Sequence, residues 1–290
     1  MVRVTTLTDA VMGWYSTASR DLPWRRPGTS PWAVLVSEVM LQQTPVSRVR
    51  GPYAAWLERW PTPASLAADS PGEAVRMWGR LGYPRRALRL HACAVAVSER
   101  YDGQLPRTVD ELLTLPGVGD YTARAVAAFA YRQRVPVVDT NVRRVVARVV
   151  EGRADAAVRR SDLALVEALL PADPTEAATA SVALMELGAL VCTARAPRCP
   201  ICPVHDRCGW AAAGHPELAS PVKPPQPFAG TDRQVRGRLM AVLRDAPSAV
   251  PAAALAAAWD EPVQRARALD GLVADGLVDP LPDGTYALPS

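Results

Sequence analysis

Four cysteines fall within seventeen residues, Cys192, Cys199, Cys202 and Cys208, spaced C-x6-C-x2-C-x5-C. The first 30 residues carry no apolar signal-peptide core, so thiols at this density are expected as metal ligands rather than disulfides. Zinc sites commonly use two separated C-x2-C pairs. Here one pair is flanked by single cysteines at unequal distances, which suits a loop wrapped around a larger object. A [4Fe-4S] cubane with four thiolate ligands is the expected occupant, with zinc as the alternative. Arg195 and Arg198 lie inside the loop, where a pinned backbone presents them to phosphates or leaves them as solvated surface charges. Cys93, in HACAVAV, reads as a small core residue.

Two carboxylates sit in opposite surroundings. Glu38 lies in VLVSEVMLQQT, a helix apolar nearly all round, where burial makes ionisation costly and a raised pKa suits a general acid. Its bland reading is a buried glutamate satisfied by a polar neighbour. Asp139, in PVVDTNVRRVV, precedes a helix together with Thr140 and Asn141, all N-cap types, and a helix N-terminus favours the anion. Its bland reading is a simple cap. Taken together, they are a pair whose surroundings push the two pKa values apart, the usual arrangement when one acid donates a proton and one carboxylate stabilises a cation.

Residues 112–125, LLTLPGVGDYTARA, place Pro116, Gly117, Val118 and Gly119 between two helices. The glycines leave backbone N–H groups uncovered at a helix N-terminus, where a phosphate oxygen binds. This pattern resembles the helix-hairpin-helix, which grips the DNA backbone without reading sequence.

The elements that must position these residues are helical. Runs at 33–43, 123–131, 141–150 and 178–191 carry helical apolar periodicity, and no sustained strand alternation occurs before residue 215, so that part is expected to be all-α. Residues 216–230 are Pro-rich and read as a linker. Helices are then expected at about 231–245, 250–258 and 261–275, followed by a hairpin around the Asp-Gly turn in LVDPLPDGTYAL, a winged-helix-like pattern.

The chain has 290 residues, 49% hydrophobic and 21% charged, which is globular composition in two or three units. No stretch approaches a membrane span, so a soluble cytosolic protein is expected. From residue 216 onward there are 7 basic and 9 acidic residues, against 26 and 20 before it, so the first part is the modestly basic one. Only one of the 33 basic residues is a lysine, Lys223. A reaction needing a lysine amine therefore has a single candidate.

The combination of SEVMLQQT (37–44), GRLGY (79–83), LPGVGDYTA (115–123), VDTNV (138–142) and the four-cysteine loop resembles the MutY-type adenine DNA glycosylases of the helix-hairpin-helix superfamily, from about residue 8 to 213. The resemblance implies a six-helix domain at about 28–135, a cluster domain from about 1–27 plus 136–215, the 216–230 linker, and a winged-helix-like domain at 231–290. It implies excision of adenine mispaired with 8-oxoguanine or guanine in double-stranded DNA, by base flipping. Glu38 would protonate adenine N7 and Asp139 would stabilise the oxocarbenium-like sugar, with Tyr121 and Asn141 lining the pocket and Gln43 and Tyr83 entering the duplex. A monomeric, cytoplasmic, nucleoid-associated enzyme without membrane contact is expected. Endonuclease III relatives carry a lysine where this chain has Tyr121, so strand-cleaving lyase activity is not expected. A thymine/uracil mismatch glycosylase and a catalytically silent DNA-binding cluster protein are the alternatives. Three departures stand out: Thr140 replaces a usual Gly, Pro84 replaces a second Tyr, and the larger nucleotide-hydrolase-like C-terminal domain of many members has no counterpart. Arg265 and Arg267 argue for DNA contact by the small C-terminal part, and Asp270, Asp275 and Asp279 argue against it.

Overall fold

A computed structural model describes residues 6–154, 157–216 and 228–290. Most of the expected 216–230 linker, including Lys223, lies outside the described residues. The four helical runs appear as Pro31–Leu41, Asp120–Tyr131, Thr140–Val149 and Pro174–Leu190. Among the described residues no helix is long and apolar enough to cross a membrane. The chain divides into two compact units.

The first unit comprises residues 1–34, 107–110 and 119–223. Its centre is a valine- and leucine-rich core in which Val11 of Leu7–Ala18, Val142, Val145 and Val149 of Thr140–Val149, and Leu184 and Leu187 of Pro174–Leu190 meet. Leu7–Ala18 buries a narrow stripe, whereas Thr140–Val149 and Pro174–Leu190 are buried over most of their circumference, as central helices are. The N-terminal segment is strapped onto this core by one carboxylate. Glu186, fully buried, accepts from Arg20 Nε and Nη2, both at 2.7 Å, and from Arg25 Nη1 at 2.8 Å. Burial pushes the Glu186 carboxyl up, but the two guanidinium groups outweigh it and hold the pKa down at about 2.

The second unit comprises residues 35–106, 111–118 and 224–290. Three tryptophans form its aromatic centre, with Trp56 edge-to-face against Trp60 at 4.7 Å and against Trp78 at 5.5 Å between centroids. The C-terminal residues form helices Asp232–Asp245, Ala252–Ala256 and Pro262–Ala274 and a three-stranded antiparallel sheet. Its middle strand, Thr285–Ala287, pairs with Val250–Pro251 and Asp279–Pro280, and Gly284 supplies the positive φ of the Asp-Gly turn.

This segment is knitted to the helices before it within the unit. Arg76 Nη1 donates to the carbonyls of Arg244 and, at 2.7 Å, Ala246, closing the C-terminus of Asp232–Asp245. Arg244 Nη1 donates in return to the Gly79 carbonyl at 2.6 Å. Asp275 pairs with both Arg85 and Arg236. Gly72 lies so close beneath the chain end that a Cβ there would stand 2.4 Å from the Pro289 carbonyl oxygen. Arg265 donates to the Trp259 carbonyl and Arg267 forms a forked pair with Asp232, so both arginines of Pro262–Ala274 are engaged internally.

Candidate functional site

In the first unit Asp139 is the N-cap of Thr140–Val149, its Oδ1 accepting from Val142 N at 2.7 Å. Oδ2 accepts from Asn141 Nδ2 at 2.7 Å, and Asn141 Oδ1 accepts from Arg144 Nη2 at 2.8 Å. Arg144 continues the chain, donating from Nε to the Cys192 carbonyl and from Nη2 to the Gly188 carbonyl, both at 2.6 Å. A continuous polar path therefore runs from the Asp139 carboxylate to the first cysteine of the loop. Its members come from Thr140–Val149 and from the end of Pro174–Leu190, which Gly188 brings together. A Cβ at Gly188 would meet the Asn141 Cβ at 2.7 Å and its carbonyl oxygen at 2.8 Å.

The cap hydrogen bond is present, but burial raises the Asp139 pKa by more than the hydrogen bonds from Val142 and Asn141 and the charge of Arg144 lower it. A half-buried carboxylate with donors on both oxygens is an oriented anion whose charge is poorly screened, suited to face a developing cation. Tyr121, from Asp120–Tyr131, packs against the small cluster of Ala125, Ala128 and Val137.

The four cysteines of the loop are half-buried free thiols that line one pocket with Val149, Leu187, Val191 and Trp210. Burial pushes the Cys202 thiol up to about 11, and the neighbouring Cys192, Cys208 and Cys199 act in the same direction. Such crowding disfavours four bare thiolates and favours a cationic group among them. Among the described residues no three His, Cys, Asp or Glu side chains gather tightly enough to hold a single ion. Arg148 braces the wall: Nη1 reaches Cys192 Sγ at 3.4 Å and the Thr193 carbonyl at 2.8 Å, and its guanidinium lies 4.5 Å from the centre of the Trp210 ring. Arg198 turns back to the Leu190 carbonyl at the end of Pro174–Leu190, while Arg195 is exposed. Cys93 is buried with its thiol raised to about 12, as a core residue should be.

In the second unit Glu38 lies on Pro31–Leu41 and is 6% exposed. Gln43, just past that helix, and Tyr83, in the loop before Arg85–Arg100, are both exposed and both have left-handed backbones, with φ of +54° and +49°. In the hairpin, Leu112, Leu115 and Val118 are buried while Pro116 and Gly117 face outward. Gly117 has φ +76°, and a Cβ there would come within 2.7 Å of the Arg89 Cβ, so the turn needs glycine twice over.

Sequence reasoning missed Arg144, Arg148, Gly188 and the buried Arg86. Arg144 and Arg148 are four apart on a valine-rich helix, a spacing that puts both on one face and that could have marked them. Nothing in the local pattern distinguishes Arg86 from Arg85.

Residues 36–169 match the HhH-GPD superfamily base excision DNA repair protein model. The chain is 60% identical over 279 residues to an adenine DNA glycosylase of Mycolicibacterium smegmatis, covering 96% of this chain and 94% of that one. It is 56% identical over 282 residues to an adenine DNA glycosylase of Mycobacterium tuberculosis, covering 96% and 92%. Among solved structures, a thermostable thymine-DNA glycosylase superposes with a TM-score of 0.65 at 26% identity, covering 71% of this chain and 95% of that one.

Proposed function

The chain belongs to the adenine DNA glycosylases of the HhH-GPD superfamily of base excision DNA repair proteins, and we propose that it hydrolyses the N-glycosidic bond of adenine mispaired with 8-oxoguanine or guanine in duplex DNA. Glu38 is the general acid that protonates adenine N7 and so turns the base into a neutral leaving group. Asp139 stabilises the positive charge that grows on the sugar, and Asn141 orients that carboxylate. The observation that carries the reading is the Asp139 arrangement: a partly desolvated carboxylate with donors fixed on both oxygens, on a chain 60% identical to an adenine-specific enzyme nearly end to end.

Water completes the reaction at the sugar carbon, and Tyr121 and Asn141 line the pocket. The exposed Gly117 turn of the hairpin takes a DNA phosphate, and the exposed Arg195 adds a positive charge from inside the cysteine loop. Cys192, Cys199, Cys202 and Cys208 would hold a [4Fe-4S] cluster, which would pin the loop that carries all four. Four thiols spread around one pocket wall support this over a single zinc ion. The lone lysine, Lys223, is a poor basis for a Schiff base, so the enzyme acts as a monofunctional hydrolase. We place it as a monomer on chromosomal DNA in the cytoplasm, with residues 231–290 as a winged-helix-like appendage.

The likeness to a thymine-DNA glycosylase structure supports a second reading, a thymine or uracil mismatch glycosylase. Incubation with A:8-oxoguanine, A:G, T:G and U:G duplexes, followed by alkali, decides between them. Cleavage at adenine only is expected, and cleavage confined to T:G or U:G overturns the adenine reading. Undiminished excision by Glu38→Gln and Asp139→Asn variants would overturn the carboxylate roles.

A further inference from the structure

We propose that the buried guanidinium of Arg86 is a positioning residue that locks Gln43 and Tyr83 into one preformed two-pronged wedge for separating the target base from its partner. The inference rests on the proposed action on a flipped base and adds a residue and a device to it.

Two exposed residues in one compact unit, Gln43 and Tyr83, both hold left-handed backbones that side chains with a Cβ rarely adopt. Such conformations persist only where the surroundings fix the neighbouring peptides. Arg86 does so for both. Its Nη1 donates to the Gln42 carbonyl at 2.7 Å, the peptide immediately before Gln43, and its Nη2 donates to the Gly82 carbonyl at 3.0 Å, the peptide immediately before Tyr83. The remaining bonds tighten the same two segments. Nη1 also reaches the carbonyls of Val39 and Met40 at the end of Pro31–Leu41, and Nη2 reaches Thr44 Oγ1 at 3.0 Å.

The guanidinium also lies between rings, 5.1 Å from the centre of Trp78 and 5.7 Å from that of Tyr83. Burial lowers the Arg86 pKa to about 10, which leaves it cationic at neutral pH. The planar fork is what allows one residue to serve two loops. A lysine ammonium is a point donor and cannot span both sets of carbonyls.

The Tyr83 loop is clamped along its length. Gly79 accepts from Arg244, Arg80 from Arg48, Leu81 from Arg86, and Gly82 from Arg86 and from Trp78 Nε1 at 3.0 Å. Four consecutive carbonyls thus each receive an arginine. At its apex Tyr83 is 56% exposed, an aromatic ring held outward on a braced loop. A loop that already holds its inserting shape loses little freedom on entering a duplex, so binding free energy goes to unstacking the bases.

The test compares wild type with Arg86→Lys under single-turnover conditions on two substrates: an A:8-oxoguanine duplex, which must be opened, and the same sequence with the adenine unpaired in a bulge, which is already open. The expected result is a fall of roughly tenfold or more in the ratio of duplex to bulge rates. An unchanged ratio in a folded variant overturns the proposal, because a general structural defect lowers both rates together. If Arg86→Lys does not fold, Thr44→Val removes one acceptor of the fork at constant shape, and the ratio is expected to move about threefold the same way; no movement overturns the proposal. Wild type inactive on both substrates is the separate outcome that sinks the adenine reading itself.

Discussion

Asn141 joins Asp139 to Arg144 through the two ends of one amide, its Nδ2 donating to the carboxylate at 2.7 Å and its Oδ1 accepting from the guanidinium at 2.8 Å. An amide engaged at both ends cannot rotate without losing both bonds, so the carboxylate direction is fixed by Arg144, and Arg144 in turn by the Cys192 and Gly188 carbonyls. The orientation of Asp139 is thus set by the cysteine loop, 53 positions along the chain from it.

Arg144→Met should therefore damage excision and stability together. The variant leaves two carbonyls and Asn141 Oδ1 without their donor, at a cost of about 3 kcal/mol or more. It also removes a cation that lowers the Asp139 pKa. With that pKa raised further, the ionised form is lost at higher pH as acid is added, so the acid limb of the single-turnover pH–rate profile should move upward. A profile that keeps its acid limb while the rate falls would show that Arg144 only supports the fold.

Gly188→Ala should act on the same path from the other side. The added methyl meets Asn141 backbone atoms at 2.8 and 2.9 Å, which no rotamer change relieves. A loss of about 1–3 kcal/mol by chemical denaturation is expected, with slower excision. Gly13→Ala is the control: it sits inside Leu7–Ala18 with open space around its Cβ position, and should stabilise by about 0.5–1 kcal/mol.

The pH dependence of folding should bear the mark of Glu186. Its folded pKa, about 2, lies below the ordinary glutamate value of 4.5, so its stabilisation is present in full above about pH 5 and is lost as pH falls towards 2. The linked contribution is on the order of 3 kcal/mol. Urea unfolding of wild type between pH 7 and 3 should show stability falling with acid, and Glu186→Gln should flatten that slope while lowering stability at pH 7. An equally steep slope in the variant would assign the acid sensitivity to other carboxylates.

How far the sequence discloses this molecule depends on the range of the interaction. The helices Pro31–Leu41 and Thr140–Val149 are written in local periodicity, and Asp139 as a cap follows from the three cap-forming residues in a row. The cysteine set follows from spacing alone. The arginine network does not, because Arg86 and Arg144 satisfy carbonyls that are 44 positions distant, and a guanidinium that caps backbone has no acidic partner to betray it in the sequence. The upward shift of the Asp139 pKa is hidden for a related reason: the cap that favours the anion is local, whereas the burial that opposes it is tertiary.

In residues 231–290, Arg265 and Arg267 on Pro262–Ala274 are the side chains whose type favours DNA contact, against Asp270, Asp275 and Asp279. Arg267 is forked onto Asp232 and Arg265 is engaged with the Trp259 carbonyl, so neither is poised to release a counterion from DNA. Arg267→Ala should leave duplex affinity and its salt dependence unchanged, the slope of log affinity against log salt moving by less than about 0.5, whereas one lost phosphate contact moves it by about 0.9. Arg76→Ala should instead cost about 2 kcal/mol of stability, because the carbonyls at the end of Asp232–Asp245 lose their donor. Filter-binding titrations at several salt concentrations, beside denaturation of the same variants, separate the two roles. A reduced slope for Arg267→Ala would make this segment a DNA contact, whereas the observed pairing assigns Arg265 and Arg267 to holding the C-terminal elements to one another.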